Sequence, residues 1–386
     1  MKLKDIRQIK NLAGKRVLLR LDVNVPLRKG KVTTEGAWRL ERSLLTIKYL
    51  LAKKAKVIIV GHLGRPEGKV DQRFSLLPVA DYFSQLLKKK VEFWPGDFRL
   101  YPNSARDLGP GSLLILENIR FEAQEKKNNR QFAKELSQLA DIYVNDAFGN
   151  IHRQDASMDA ITYFLPAYSG FLLQEEVKYF SQVMEAKKGL VMIFGGAKVE
   201  TKLKLIKKNI KRADSILLGG MLANTVLTAT GYNLGKSLIE KKSLPLAKSL
   251  LSNNLYLPLD ALVASDLEAK TAQVEVVTNI SKNNLVLDIG PETIKEYKAI
   301  LQKAKLVVWN GPFGYFENPL FVRASKEIMQ FLLKAKIKTI IGGGETVELV
   351  RQLKLEKKFA FVSTGGGAML AFLSGVKLPA LERLRK

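Results

Sequence analysis

Short apolar runs alternate along the whole chain with longer stretches whose apolar positions fall on one side of a helix. The runs Arg16–Leu21, Val57–Val60, Leu113–Leu116 and Ile142–Asn145 predict strands in the first half. Leu190–Phe194, Ser215–Leu218, Leu285–Asp288, Leu306–Trp309, Thr339–Ile341 and Phe361–Ser363 predict strands in the second. Helices are predicted at Leu40–Lys53, Leu76–Leu87 and Arg130–Leu139, then at Lys202–Arg212, Met221–Thr230, Pro291–Ala304 and Leu320–Lys334. Strand and helix in alternation point to the α/β class with parallel sheets. A chain of 386 residues exceeds one core, so two domains are expected. The boundary is placed within Leu165–Gly170, with a helix over Leu173–Glu185 bridging the halves.

Composition narrows the chemistry. There is no cysteine, which excludes disulfides, thiolate metal sites and cysteine nucleophiles. No apolar run has the length of a membrane span, and the first residues lack the apolar core of a secretory signal, so the expected address is the cytoplasm. The 63 basic residues outnumber the 37 acidic ones, giving a net charge of +26. The lysines are spread over many predicted helices: Val199, Leu203, Ile206 and Ile210 line one face while lysines occupy the others. A solvated surface explains this pattern better than a polyanion contact, and it also favours attraction of anionic metabolites.

Two different ways of holding phosphate occupy the two halves. In the first, His62 and Arg65, then Arg120, then His152 and Arg153 each lie just after a predicted strand. A single strand-end arginine is ordinarily a surface charge, but three such places in one sheet form an anion site, since guanidinium forks bind phosphate oxygens bidentately. Asp22 and Asn24 end the first strand; they suit ligand contact and equally suit an Asx turn before Pro26. In the second half the strand ends carry glycine turns: Gly195-Gly196-Ala197-Lys198, Asn310–Gly314, Gly342–Glu345 with Thr346, and Thr364–Gly367. Backbone amides and helix N-termini of this kind suit a nucleotide phosphate chain. Lys198 and Lys202 lie in the first turn of a helix, where cations are unfavourable unless an anion is near. The spacing is neither a Walker loop nor a Rossmann dinucleotide fingerprint. Glu345 is placed to bind a magnesium ion carried by the nucleotide.

At this point the chain resembles the phosphoglycerate kinase family. The segments Arg20–Pro26, His62–Pro66, Leu116–Phe121, Asn145–Arg153, Gly195–Lys202, Asp288–Pro291, Trp309–Gly314, Gly342–Gly344 and Ser363–Ala368 are similar to its motifs in order and approximate spacing. The resemblance implies two doubly wound parallel-sheet, Rossmann-like domains facing a central cleft and joined by a hinge helix. It places a triose-phosphate domain at 1–168 with 373–386 packing back on it, a hinge at 169–187 and a nucleotide domain at 188–372. It implies Mg2+-dependent phosphoryl transfer between 1,3-bisphosphoglycerate and ADP, giving 3-phosphoglycerate and ATP, by a monomer without need of nucleic acid or membrane.

Carried over by position, Asp22, Asn24, Arg39, His62, Arg65, Arg120, His152 and Arg153 would hold the triose. Gly196, Lys198, Lys202, Gly219, Gly220, Gly290, Asn310, Pro312, Glu317, Gly344, Glu345, Thr346 and Gly365 would hold the nucleotide, with Glu345 also at the metal. Arg39, Lys198, Gly366 and Gly367 would act on the moving phosphoryl group, and because Arg39 and Lys198 belong to different domains, closure is expected in the cycle. Four positions depart from the family pattern: Glu345 stands for an aspartate, Asp155 for a histidine, Gly61 for a serine and Leu218 for a glycine; the approach Gly36-Ala37-Trp38 to Arg39 is also unusual. A nucleic-acid-binding protein would show basic and aromatic residues interleaved, and a Rossmann dehydrogenase an early glycine fingerprint; the sequence has neither.

Overall fold

The structure, a computed structural model, describes residues 1–386 apart from Glu35. The chain forms two compact units, Met1–Lys178 with Lys377–Lys386, and Tyr179–Val376. The division falls inside the helix Phe171–Glu185.

The first unit is built on a parallel six-stranded sheet: β1 (Arg16–Arg20), β2 (Lys56–Val60), β3 (Glu92–Trp94), β4 (Leu113–Leu116), β5 (Ile142–Asn145) and β6 (Ala167–Ser169), in the order β3-β4-β2-β1-β5-β6. β1 lies in the middle, with Val17 beside both Val57 and Ile142. Helices cover a parallel sheet on both faces, so its inner strands are apolar throughout, and Val17, Leu18, Leu19, Val57, Ile58 and Ile59 are all wholly buried. β3 and β6 are edge strands too short for periodicity to reveal. The helix predicted at Leu40–Lys53 is two helices, Thr34–Glu41 and Leu44–Ala52. Ser43 separates them: its hydroxyl donates to the Leu40 carbonyl at 2.6 Å and competes with the helical ladder.

The second unit has its own parallel sheet: β7 (Leu190–Phe194), β8 (Ser215–Leu218), β9 (Leu255–Tyr256), β13 (Leu306–Asn310), β14 (Lys338–Gly342) and β15 (Phe361–Val362), ordered β9-β8-β7-β13-β14-β15. A smaller antiparallel sheet holds β10 (Asp260–Ala264), β11 (Gln273–Val276) and β12 (Leu285–Ile289). The predicted strand at Leu285–Asp288 therefore belongs to this side sheet and not to the parallel one. No helix lies between β10 and β11, and without such a crossover neighbouring strands run antiparallel. Five adjacent strands of the parallel sheet, β8 to β15, each have an exposed lysine within four residues of their amino ends: Lys211, Lys188, Lys305, Lys338 and Lys358.

Four helices end on a left-handed lysine. Lys54, Lys88, Lys336 and Lys354 have φ of 57°, 50°, 53° and 55°. At Lys336 its own N–H donates to the Leu333 carbonyl at 3.1 Å, and the Ile337 N–H reaches back to Leu332 at 3.0 Å. Lys354 repeats the pair on Arg351 and Val350, Lys54 on Leu51 and Leu50, and Lys88 on Gln85 and Ser84. This is the Schellman closure, in which glycine is usual because a side chain crowds the backbone. The lysine charge lies at the negative end of the helix dipole, which offsets part of that cost.

Candidate active site

In the first unit the basic residues gather around His62, which is wholly buried after β2. Arg20, the last residue of β1, is also wholly buried. Its Nη2 lies 3.1 Å from Nδ1 of His62, its Nη1 donates to the Leu21 carbonyl, and its Nε donates to Ser157 Oγ at 3.0 Å. Ser157 passes the contact on: its hydroxyl donates to Glu125 Oε1 at 2.6 Å and its N–H to Oε2 at 2.9 Å. Burial pushes the Glu125 carboxyl up to about 7, against the pull of Arg20. Burial, then Arg20, Arg120, Arg153 and Arg39, hold the His62 imidazole well below its usual value. Nη1 of Arg153 lies 3.4 Å from Nε2 of His62.

Arg120 sits in the turn Ile119–Phe121 after β4, set by the Asn118 side chain, which accepts its N–H at 3.1 Å. Its guanidinium donates to the Gly64 carbonyl at 3.2 Å and to Asp155 Oδ2 at 3.1 Å. Arg39 donates to the Asn24 carbonyl at 2.6 Å and lies 4.0 Å from Asp22. Asp22 does form an Asx turn, accepting the Asn24 N–H at 3.3 Å, while the Asn24 side chain accepts the Gly64 N–H at 2.9 Å. Gly64 has φ of 63°, and a Cβ there would overlap the Phe74 ring. Arg65 and His152 are exposed. The structure thus brings His62, Arg39, Arg120 and Arg153 into one electrostatic group. It adds Arg20, Ser157 and Glu125, which were not expected there, and Asp155, which stands at the position where the family pattern has a histidine. An arginine closing the apolar run Val17–Leu19 was the available signal for Arg20.

In the second unit two cavities lie past the carboxyl ends of the parallel strands. One, about 240 Å³, has Met221, Leu238, Leu285 and Leu287 in its wall and Gly196, Gly220, Pro312, Glu317 and Glu345 at its polar side. The other, about 310 Å³, is lined by Lys198, Lys202, Asn310, Gly343, Gly344, Glu345, Thr346, Gly366 and Gly367. Three helices, Val199–Asn209, Gly344–Gln352 and Gly366–Leu373, begin at this second cavity, so unpaired N–H groups give it a positive character. Lys198 caps the first of them in a left-handed conformation, φ 61°. The first cavity suits a flat, weakly polar ring, and the second an anionic chain.

Gly219, Gly290 and Gly365 line neither cavity. A Cβ at Gly290 would overlap the Asp260 carboxylate; one at Gly219 would lie 2.9 Å from the Phe313 backbone. The Gly365 N–H is held by Ser363 Oγ at 3.0 Å. These positions keep chain segments close together. Lys202 lines the second cavity, and its ammonium is buried and donates to the carbonyls of Gly195 and Ala197, at 2.5 and 2.6 Å. Burial pushes it down to about 8, with Glu345 opposing. Thr346 spends its hydroxyl on the Gly311 N–H, at 2.6 Å.

The family model described as phosphoglycerate kinase matches residues 5–376. The phosphoglycerate kinase of Finegoldia magna is 41% identical over 392 residues, covering 98% of both chains. That of Chloroflexus aggregans is 41% identical over 400 residues, covering 100% of this chain and 99% of its own. Among solved structures, phosphoglycerate kinase from Coxiella burnetii superposes with a TM-score of 0.88 at 36% identity, covering 99% of each chain. The enzyme from Pyrococcus horikoshii gives 0.88 at 30%, covering 99% of this chain and 98% of that one.

Proposed function

The chain belongs to the phosphoglycerate kinase family, whose reaction is phosphoryl transfer between 1,3-bisphosphoglycerate and ADP to give 3-phosphoglycerate and ATP, and from that premise we propose how its residues divide the work. The triose phosphate binds in the first unit, through Arg39, Arg65, Arg120, Arg153, His62 and His152, with Asp22 and Asn24 ordering the loop beneath. The observation that carries this is the clustering of arginines around a buried histidine whose two ring nitrogens both face guanidiniums. Guanidiniums gathered in one place call for an anionic group from outside. The nucleotide base takes the apolar cavity of the second unit, and its phosphates take the lysine and amide cavity.

In the ATP-consuming direction the nucleophile is a carboxylate, ionised at neutral pH, so no general base is needed. Catalysis is then alignment plus charge stabilisation. Arg39 and Lys198 bracket the moving phosphoryl group, and the amides of Gly366 and Gly367 receive its oxygens. Since these groups come from both units, hinge motion about the helix Phe171–Glu185 belongs to the cycle. The same proposal treats the protein as a cytoplasmic monomer; among the described residues no helix is long and apolar enough to cross a membrane.

Glu345 lines both cavities, and its carboxylate reaches Gly196, where a Cβ would overlap Oε2. Magnesium commonly takes one or two carboxylates plus phosphate oxygens and waters, so a single glutamate beside the phosphate cavity fits it. When bound, the ion supplies positive charge to the nucleotide phosphates; Glu345 would hold and orient it. The test is a coupled assay of 3-phosphoglycerate and Mg-ATP, following NADH oxidation through glyceraldehyde-phosphate dehydrogenase. No activity from folded protein overturns the assignment. For the metal, Glu345→Asp and Glu345→Ala are compared in a magnesium titration, and unchanged dependence in both removes Glu345 as a ligand.

A further inference from the structure

We propose that Asp155 is a positioning residue for the triose site: it holds Arg120 from behind, and its charge sets how weakly the cationic patch retains an anion. The proposal rests on the assignment of that patch to the triose phosphate. Asp155 and Arg120 form an ion pair with side-chain exposures of 7% and 5%, so water neither screens it nor replaces it. The backbone that carries the carboxylate is firmly held. Its residue's carbonyl accepts the N–H groups of Met158 and Asp159, both at 2.9 Å, and the next N–H, of Ala156, donates to the Glu125 carbonyl at 2.8 Å.

A buried carboxylate among arginines opposes the binding of any anion. Besides its contact with Arg120, it acts on Arg153 and His152, favouring their charged forms. What it gives in return is order before the substrate arrives. Arg20, Arg39, Arg120 and Arg153 all act on one imidazole and therefore repel one another. The counter-ion and the Gly64 carbonyl, at 3.1 and 3.2 Å, hold the two terminal nitrogens of Arg120, so the guanidinium is oriented before the substrate arrives. Carboxylate charge and carboxylate geometry therefore have opposite effects on affinity, and two substitutions separate them. Asp155→Asn keeps an acceptor for Arg120 and removes the charge. Asp155→Ala removes both.

The measurements are KM for 3-phosphoglycerate and for Mg-ATP, with competitive inhibition by inorganic phosphate against 3-phosphoglycerate. In Asp155→Asn, the triose KM and the phosphate inhibition constant should both fall by about three- to tenfold. In Asp155→Ala, where Arg120 is released, the triose KM should rise about tenfold or more. The Mg-ATP KM should stay within twofold in both. Unchanged or raised triose constants in the asparagine variant overturn the proposal, as does a parallel change for Mg-ATP. If the alanine variant fails to fold, the asparagine variant alone decides. Arg153→Ala serves as the control for the site itself: an unaltered triose KM there would mean that the triose assignment, not the role of Asp155, has failed.

Discussion

Arg20 places Nη2 at 3.1 Å from Nδ1 of His62, and Arg153 places Nη1 at 3.4 Å from Nε2, so both ring nitrogens face guanidiniums. A guanidinium only donates and carries positive charge, so both contacts favour the uncharged ring over the imidazolium. Ser157 holds Arg20 and Glu125 holds Ser157 in turn, so residues far along the chain help to keep the histidine neutral.

Nitrogen NMR of the His62 ring should show a neutral imidazole at pH 6.5, where an ordinary histidine is about half protonated. Arg20→Met should release Nδ1, raise the imidazole pKa and raise the triose KM by about tenfold. An imidazole in the native protein that titrates near its ordinary value would refute the assignment.

Stability should respond to His62 and Glu125 in opposite directions. The folded imidazole has a lowered pKa, so its contribution is present above the unfolded value of 6.5 and is lost as pH falls below it. The Glu125 carboxyl is raised from 4.5 to about 7, so its contribution is full below 4.5 and is lost as pH rises through 7. Glu125→Gln should remove that second slope. From pH 5 to 8 the native protein should lose about 2–3 kcal/mol relative to the variant in denaturant titrations. A difference that does not change with pH would contradict this.

Arg39 is anchored only lightly, by the Asn24 carbonyl and a 4.0 Å approach to Asp22. Arg39→Ala should leave the melting temperature nearly unchanged and lower kcat by about 100-fold or more. Near-normal turnover would remove Arg39 from the transition state.

Two glycines should behave oppositely on substitution. A Cβ at Gly366 would meet only the Gly343 Cα at 3.5 Å and the Gly344 nitrogen at 3.7 Å, whereas one at Gly195 would overlap the Pro312 carbonyl oxygen. Gly366→Ala should fold normally and lose turnover, because the methyl group enters the phosphate cavity. Gly195→Ala should melt at a clearly lower temperature. Equal melting temperatures for the two variants would show that the close approach at Gly195 is not structurally required.

Lys336→Gly and Lys354→Gly should each stabilise the protein, by about 0.5–1 kcal/mol, since glycine adopts the left-handed cap without crowding. The two sites cap different helices, so the gains should add. Urea midpoints report this directly, and a loss would mean that the lysine charge at the helix end outweighs the backbone term.

The main strands were legible because burial on both faces leaves an apolar run that needs no partner to be seen. Glu92–Trp94 and Ala167–Ser169 were not, being three-residue edge strands. The break at Ser43 turned on one hydroxyl, and the side sheet on a missing crossover. In the site, residues just after strands could be found by position. What supports them could not: Arg20 and Ser157 are 137 residues apart, and no local pattern pairs them. Lys202 lines the cavity that its helical position pointed to, while the contacts of its amine with the carbonyls of its own glycine turn were not legible.

The lysines near the amino ends of β8, β7, β13, β14 and β15 lie on or within four residues of neighbouring strands, forming a charged hem along one rim of the second unit. Two copies meeting rim to rim would face like charge within a Debye length of about 8 Å in physiological salt. Crowded molecules should therefore avoid that approach, with a second virial coefficient that is positive in dilute buffer and declines as salt is added.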